Sequence, residues 1–519
     1  MSLRQTLLAT PDFATVVELV PWAGELDDAR GQRPLKMAVD LAGDPRITAL
    51  SITDNAGGHV RLGPVAPAEP VIELGHDVIV HVACRDRNRS GLQSRGWDLL
   101  SRGLTTVLAV SGDYPVEGFD GLSKPVFDVD SVGLLALYRE LGEAAVARAA
   151  ADGVPDPAEH AFFLGCAVAN VKRFERELIP QYLKLALKVR SGAGFVISQV
   201  GYDARKQDEL LRLMRRDGIA IPAIANAYIL DRGVARAFHA GRVPGCVVSD
   251  KLLALVEQRA AGPDKGRAFF LEFAAKQLVV ARGLGYRGIY LSGHRDASEI
   301  SRVLEYAEAF AEADWHDLVA DVTFPLPGSF HLFERDPATG LNSDVVSTAY
   351  RRSLEPAARR RARAGVDPFY RVNRMVHDRV FTEGTPGFRF WGSVYGRVER
   401  AHLAKPLHVF EQAVKVPLYD CRDCGDCSLP DLAYLCPESH CAKNQRNGPC
   451  GGSQDGRCEV GERPCVWAEA YRRLKPYGEE LTMLERPPIL QDNALRRTSA
   501  WANTFLGRDH FAKQKGPRS

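Results

Sequence analysis

Thr15-Val16-Val17-Glu18-Leu19-Val20-Pro21-Trp22 is the stretch on which the fold turns. Its β-branched residues at 15–17 predict a strand, and the proline at 21 closes it. A doubly wound nucleotide-binding sheet would place a glycine-rich phosphate loop here, and Glu18-Leu19-Val20-Pro21-Trp22 offers none. Working outward, seven more short apolar runs of strand type follow: Ile47–Thr53, Val78–Cys84, Thr105–Val110, Phe162–Ala167, Phe195–Val200, Ile221–Ile224 and Gly288–Ser292. Helical patterns separate them, among them Gln93–Ser101 and Leu178–Arg190. Eight strand–helix units over roughly 300 residues have the size and rhythm of a TIM (β/α)8 barrel in the α/β class.

In such a barrel the chemistry sits at the C-terminal ends of the strands. Those ends are polar here. The first strand contains Glu18, the second runs into Thr53-Asp54-Asn55, and the third contains His81 before Arg85-Asp86. The fourth ends in Ser111-Gly112-Asp113-Tyr114-Pro115, the sixth carries Gln199, and the eighth ends in Gly293-His294-Arg295. Each has a structural reading too. Glu18 could be half of an ion pair, Gly112-Asp113 a turn with an Asx cap, and His81 a satisfied core histidine. Their convergence on one rim is what favours a site.

The segments Val17-Glu18-Leu19-Val20-Pro21, Thr53-Asp54-Asn55, His81 with Cys84, Gly112-Asp113-Tyr114-Pro115 and Leu183–Lys188 leading to Ile197-Ser198-Gln199 resemble, in this order, the methylenetetrahydrofolate reductase family. The resemblance covers most of residues 13–325. It implies a flavin at the barrel mouth, FAD or FMN, and hydride exchange between 5,10-methylenetetrahydrofolate and 5-methyltetrahydrofolate. It assigns Glu18 as the acid that protonates the departing folate nitrogen, a role suited to a desolvated carboxyl. Asp113 matches the family aspartate near the flavin and the pterin, and Gln199 the amide that contacts folate. Thr53, His81, Gly112 and Lys188 match flavin-binding positions, and Arg295 a position near the folate tail. Ser111 departs from the pattern, since some relatives carry there an arginine that reaches the flavin phosphates. The apolar Leu187 departs as well.

Composition bounds the rest. The chain has 519 residues, 45% hydrophobic and 25% charged, which fits two or three globular domains. A formal net charge of +2 provides no field for nucleic acid. Met1–Phe13 lacks the layout of a signal peptide, and no apolar run approaches the ~18 residues of a membrane helix. The expectation is a cytoplasmic protein with no membrane or nucleic-acid partner, and with homo-oligomerisation left open.

Cysteine usage is lopsided. Eight of the 11 cysteines lie between Cys421 and Cys465. Reduced thiols at this density argue for metal. Cys421-x-x-Cys424-x-x-Cys427, followed by Cys436-Pro437, echoes the ferredoxin arrangement of three close cysteines and a remote Cys-Pro on a [4Fe-4S] cluster. Cys441, Cys450, Cys458 and Cys465 are enough for a second cluster or one zinc. Residues 368–512 resemble the C-terminal domain associated with the same reductases. In acetogenic bacteria a related domain is a separate iron–sulfur subunit.

The expected organisation is a flavin and folate barrel at 1–325, a linker and helical region at 326–415, and a small cysteine-rich metal domain at 416–519. Within the middle region, Glu334–Asn342 reads as a loop. The arginines between Arg351 and Arg363 read as a solvated helix face, with an acidic electron-transfer partner as the sharper option. The expected enzyme relays electrons between flavin and clusters, with ferredoxin or NAD(P)H as partner. The alternatives are an NAD(P)H-dependent reductase with a structural zinc tail, and a folate-binding subunit without catalysis.

Overall fold

The computed structural model describes residues 2–401, 404–461 and 463–513. Eight parallel strands close into a barrel in sequence order: β1 (Ala14–Leu19), β2 (Ala49–Ile52), β3 (Asp77–Ala83), β4 (Thr106–Val110), β5 (Phe163–Val168), β6 (Phe195–Ser198), β7 (Ala223–Tyr228) and β8 (Gly288–Ser292). All eight expected strands are present. The seventh is displaced: it starts after Pro222, whose missing N–H cannot join a ladder, and continues through Ala225-Asn226-Ala227. Those small residues had hidden its extent.

The strands bury both faces, as parallel strands covered by helices must. Outward residues such as Leu50, Val80, Val107 and Val196 pack under the helices. Inward residues Val16, Ala49, Ile79, Leu108, Phe195, Ile224 and Tyr290 fill the barrel. Leu3 and Leu7 of the helix Leu3–Ala9 join that inner cluster, so this helix packs against the barrel's apolar interior. Further along β1, β2, β3 and β7 the inward positions turn polar, with Glu18, Ser51, His81 and Asn226. The period-2 alternation thus separates a packed floor from a reactive mouth.

The middle region holds an element the sequence reading did not foresee. β9 (Phe333–Arg335) and β10 (Asn342–Val346) pair antiparallel, and the expected loop is the turn between them. Asn342 fixes the hairpin to the barrel: its N and Nδ2 donate to Asp208 Oδ2 at 2.9 and 2.8 Å. The arginine-rich helices are only partly a solvated face. Arg359 pairs with Glu480 at 2.7 Å, and Arg363 donates to Pro476 O at 3.0 Å and lies over the Tyr477 ring.

The tail is clamped onto the barrel mouth. Lys443 Nζ donates to Gly112 O at 2.7 Å. Gln445 Oε1 accepts from Ser111 Oγ at 3.1 Å and Lys184 Nζ at 2.9 Å. Lys172 Nζ donates to Gly451 O at 2.5 Å. Asp130 caps the helix Ser131–Ala151 through Val132 N and Gly133 N, both at 3.1 Å, and also accepts from Asn447 N at 2.9 Å. Each of these polar groups is buried and each finds its partner across the two regions. Among the described residues no helix is long and apolar enough to cross a membrane.

Candidate active site and cysteine centres

Glu18 ends the inward row of β1. Tyr290 OH, from neighbouring β8, donates to its Oε1 at 3.0 Å. Among the described residues no lysine or arginine counters its charge, so burial dominates and pushes its pKa up to about 7, against the smaller opposing effect of the Tyr290 hydrogen bond. His81 on β3 is pushed down to about 4 by burial and is neutral near pH 7. Its Nε2 meets Ser51 Oγ at 2.8 Å, and Ser51 also bonds Tyr290. Glu18, Tyr290, Ser51 and His81 therefore form one hydrogen-bonded row across β1, β8, β2 and β3. The sequence reading named the two ends of this row and missed its middle. Register held the signal: β1 pairs with β8 at Val16↔Tyr290, which puts the tyrosine on the inner face beside Glu18.

Asp113 follows β4, with Oδ2 accepting from Gly57 N at 2.8 Å. That bond ties the loop after β2 to the loop after β4. Gly112 precedes it with φ +84°, a conformation other residues adopt only under strain. Gln199 follows β6; its N donates to Val168 O at 2.9 Å and to Asn170 Oδ1 at 3.2 Å. Its Oε1 accepts from Val200 N at 2.8 Å. Its Nε2 lies so close to Gly245 that a Cβ there would come within 2.8 Å. Lys188 reaches from the helix Glu175–Arg190 to Ala167 O at 2.6 Å, and burial lowers its pKa to about 8. Thr53 sits at the end of β2. Arg295 is exposed on the rim after β8, with only its backbone N bonded inward, to Glu299 Oε2 at 2.7 Å.

The mouth has polar capacity to spare. Thr53 Oγ1 and Asn226 Oδ1 are buried without partners. Orphaned atoms of this kind are rare in a finished core and fit a polar ligand with many acceptors and donors, as a flavin is. Ser111 is bonded to the tail through Gln445, so tail and barrel share this edge of the site.

The eight cysteines fall into two groups. Cys421, Cys424, Cys427 and Cys436 line one small cavity together with Lys415 and Arg446. Lys415 is buried and its Nζ lies 3.6 Å from Cys427 Sγ. Arg446, also buried, lies in the field of Cys424 and Cys436. Cys441, Cys450, Cys458 and Cys465 lie within electrostatic reach of one another. Cys450 stands beside Lys443, the residue that grips Gly112, and its charge is felt at Lys188. The second group is therefore the one tied to the barrel mouth through Lys443. Backbone N–H groups two residues on address the sulfurs of Cys421, Cys450 and Cys458, at 3.4, 3.5 and 3.4 Å. Burial is the larger effect and raises the thiols of Cys421, Cys424, Cys436, Cys441, Cys450 and Cys465, while the cations and N–H donors act against it. Four sulfurs with such partners form a donor set that a metal or a metal–sulfur cluster can use.

Fold and site together define a class: a βα barrel with an acid, an aspartate and an amide at its mouth, roofed by a thiol-rich module. Residues 28–258 match the family model described as methylenetetrahydrofolate reductase, and residues 401–492 match the one described as methylene-tetrahydrofolate reductase C terminal. The two stretches span more than half of the chain, which belongs to the methylenetetrahydrofolate reductase family and joins barrel and C-terminal module in one polypeptide. Asp113, Lys188, Gln199 and all eight cysteines from Cys421 to Cys465 lie inside the matched stretches, whereas Glu18 and Arg295 lie outside them. No curated protein matches the chain significantly. Among solved structures, an uncharacterized protein from Clostridium thermocellum that binds two copies of 5-methyl-5,6,7,8-tetrahydrofolic acid is similar at 11% identity and TM-score 0.40, over 59% of this chain and 97% of that one. A likeness this slight bears on neither site nor ligand here.

Proposed function

We propose that the chain interconverts 5,10-methylenetetrahydrofolate and 5-methyltetrahydrofolate, with flavin in the barrel and iron–sulfur clusters in the tail. The observation that carries the reading is Glu18, a desolvated carboxyl poised to about 7 at the barrel mouth. A carboxyl in that state holds a proton at neutral pH and still releases it, as a general acid must. Glu18 protonates the folate nitrogen that leaves the five-membered ring, and takes the proton back in the reverse direction. Asp113 and Gln199 orient the pterin, the first held by Gly57 N and the second anchored by its backbone. Thr53, His81 and Lys188 line the flavin position, and the neutral His81 adds no charge there. When bound, flavin supplies the hydride and the clusters exchange single electrons with a carrier such as ferredoxin; NAD(P)H is the alternative donor at the flavin.

A cluster is favoured over zinc by the spacing Cys421-x-x-Cys424-x-x-Cys427 with the remote Cys436-Pro437. These four thiols line one cavity together.

The test is an absorption spectrum with iron, sulfide, zinc and flavin contents on anaerobically purified protein, beside an assay of folate interconversion. Iron, acid-labile sulfide and flavin together with turnover are expected. Stoichiometric zinc without iron or sulfide would replace the relay with a structural tail. Absence of turnover in a flavin-loaded protein would sink the reaction itself.

A further inference from the structure

The tail encloses a second, larger cavity that the folate chemistry does not use. It measures about 1240 Å³, generous beside the ~300–1,000 Å³ of ordinary ligand sites. It lies among the helices Pro368–Val376, Pro386–Arg400 and Ala404–Tyr419 and the segment around Ala500–Phe505. Its walls are aromatic, with Phe381, Phe388, Trp391, Phe410, Trp501 and Phe505. Phe505 stacks on Phe381 at 5.1 Å and on Tyr395 at 5.5 Å. Faces of this kind receive a flat ring by stacking. Val372, Val376, Phe410 and Leu418 line the cavity while remaining 41–58% exposed, so it opens outward through an apolar rim.

Two observations narrow the occupant. Lys415, Tyr419, Cys427 and Leu429 line both this cavity and the one ringed by Cys421, Cys424, Cys427 and Cys436. One wall is therefore common to the aromatic cavity and the first thiol group. The second observation is Asp509, which lines the cavity at 2% exposure with Oδ2 lacking any hydrogen-bond partner. Its Oδ1 accepts from Ala512 N at 3.3 Å, and the Thr504 side chain lies close by. Burial raises its pKa, and the unpartnered oxygen has a hydrogen-bonding site left for an occupant. The occupant is thus flat, apolar, capable of accepting a hydrogen bond at its edge, and placed against a redox-competent thiol group.

We propose that this cavity binds a quinone, with the ring among Phe381, Trp391, Trp501 and Phe505, one carbonyl oxygen on Asp509, and the apolar chain along Val372, Val376 and Leu418. The proposal rests on the redox reading above and names a small-molecule partner for it. The overall exchange balances. 5-Methyltetrahydrofolate gives up one hydrogen from its methyl carbon and one from the neighbouring folate nitrogen as the carbon–nitrogen bond closes. The two electrons and two protons convert the quinone to hydroquinone. Asp509 is the polar group that fixes the ring oxygen, and the two protons reach the hydroquinone from solvent through the cavity's open rim.

The probe is a naphthoquinone bearing one prenyl unit, titrated anaerobically into the full-length protein while tryptophan fluorescence is read. Saturable quenching is expected, with most of it lost when Trp391 and Trp501 are both changed to phenylalanine. Asp509→Leu should weaken binding roughly tenfold. Asp509→Asn, which keeps the shape and a donor, should restore most of it, and Glu18→Gln should bind as the wild type does. Quenching that is unsaturable, or equal in all variants, overturns the proposal. So does a cavity that phospholipid vesicles fill and the quinone cannot enter by competition, which would mark a lipid surface. Iron, sulfide and folate turnover are measured on the same preparation. Saturable binding without turnover supports the site and sinks the redox reading; turnover with clusters but no saturable quenching sinks the site alone.

Discussion

The barrel mouth and the cysteine-rich tail bury their reactive groups alike and differ in what stands against the burial. At the mouth, Glu18 accepts a hydrogen bond from Tyr290 OH, and burial lifts its pKa to about 7. In the tail, burial likewise raises the thiols of Cys424, Cys441 and Cys450, but buried cations oppose it: Lys415 and Arg446 beside the first group, Lys443 beside the second. The difference suits what each must do. A general acid has to keep its proton until the substrate calls for it, so charge is left costly. A thiolate ligand gives up its proton when metal binds, and a cation beside it lowers the cost of that charge. One chain thus holds a buried acid without a counter-charge next to buried thiols that have one.

The largest test of that contrast is Glu18→Gln. The amide keeps the shape and cannot give a proton. Folate interconversion should fall by about 10²–10⁴-fold, while iron and sulfide contents stay unchanged. An activity within a few-fold of wild type would remove Glu18 from its role. The mirror experiment is Cys436→Ala. It should cut iron by roughly half, one cluster of two, and leave NAD(P)H-driven reduction at the barrel within a few-fold of wild type. Loss of both iron populations would show that the two thiol groups are one centre.

Asp130→Ala probes the joint between the two regions. Asp130 caps the helix Ser131–Ala151 and holds Asn447 N and Nδ2 at 2.9 and 3.1 Å. Losing a cap costs about 1 kcal/mol and losing a charge-assisted bond about 1.5–3 kcal/mol, so unfolding in urea should show a loss of roughly 2–4 kcal/mol. A loss confined to the cap would mean that the tail docks through its other contacts.

The same contrast explains what the sequence could and could not disclose. In a strand, parity decides which side chains face inward, so Glu18, His81 and Gln199 could be placed at the mouth from local pattern alone. Ser51 and Tyr290 obey the same parity and were passed over, because a serine and a tyrosine in a buried strand carry no family signal. The tail is another matter. Lys443 and Gly112 are 331 residues apart, and nothing in either neighbourhood announces the other. Cysteine spacing divides the thiols into two groups, and it is silent on which one is tied to the barrel. Arg295 shows the limit in the other direction: a resemblance placed it near the folate tail, and here its side chain is exposed on the rim, so that role stands as a proposal.

The smallest expected effect is the most specific. Tyr290 OH donates to the Glu18 carboxylate, which favours the charged form and holds the pKa below where burial alone would put it. In Tyr290→Phe that restraint is gone and the Glu18 pKa rises. The acid acts only when protonated, so the rate of methylenetetrahydrofolate reduction should fall as pH rises through about 7 in the wild type, and the falling limb should move to higher pH in the variant. Stability moves in the matching sense. A carboxyl whose folded pKa lies above its unfolded value of 4.5 favours the fold below the unfolded value and loses that advantage as pH rises through the folded one. The variant should therefore lose stability over a range extending further upward in pH. The rate at the acid plateau should change less than tenfold, because the donor itself is intact. A limb that stays in place would mean that Tyr290 only fills space; a limb that moves to lower pH would mean that desolvation does not set the Glu18 pKa, and the contrast between mouth and tail would fail with it.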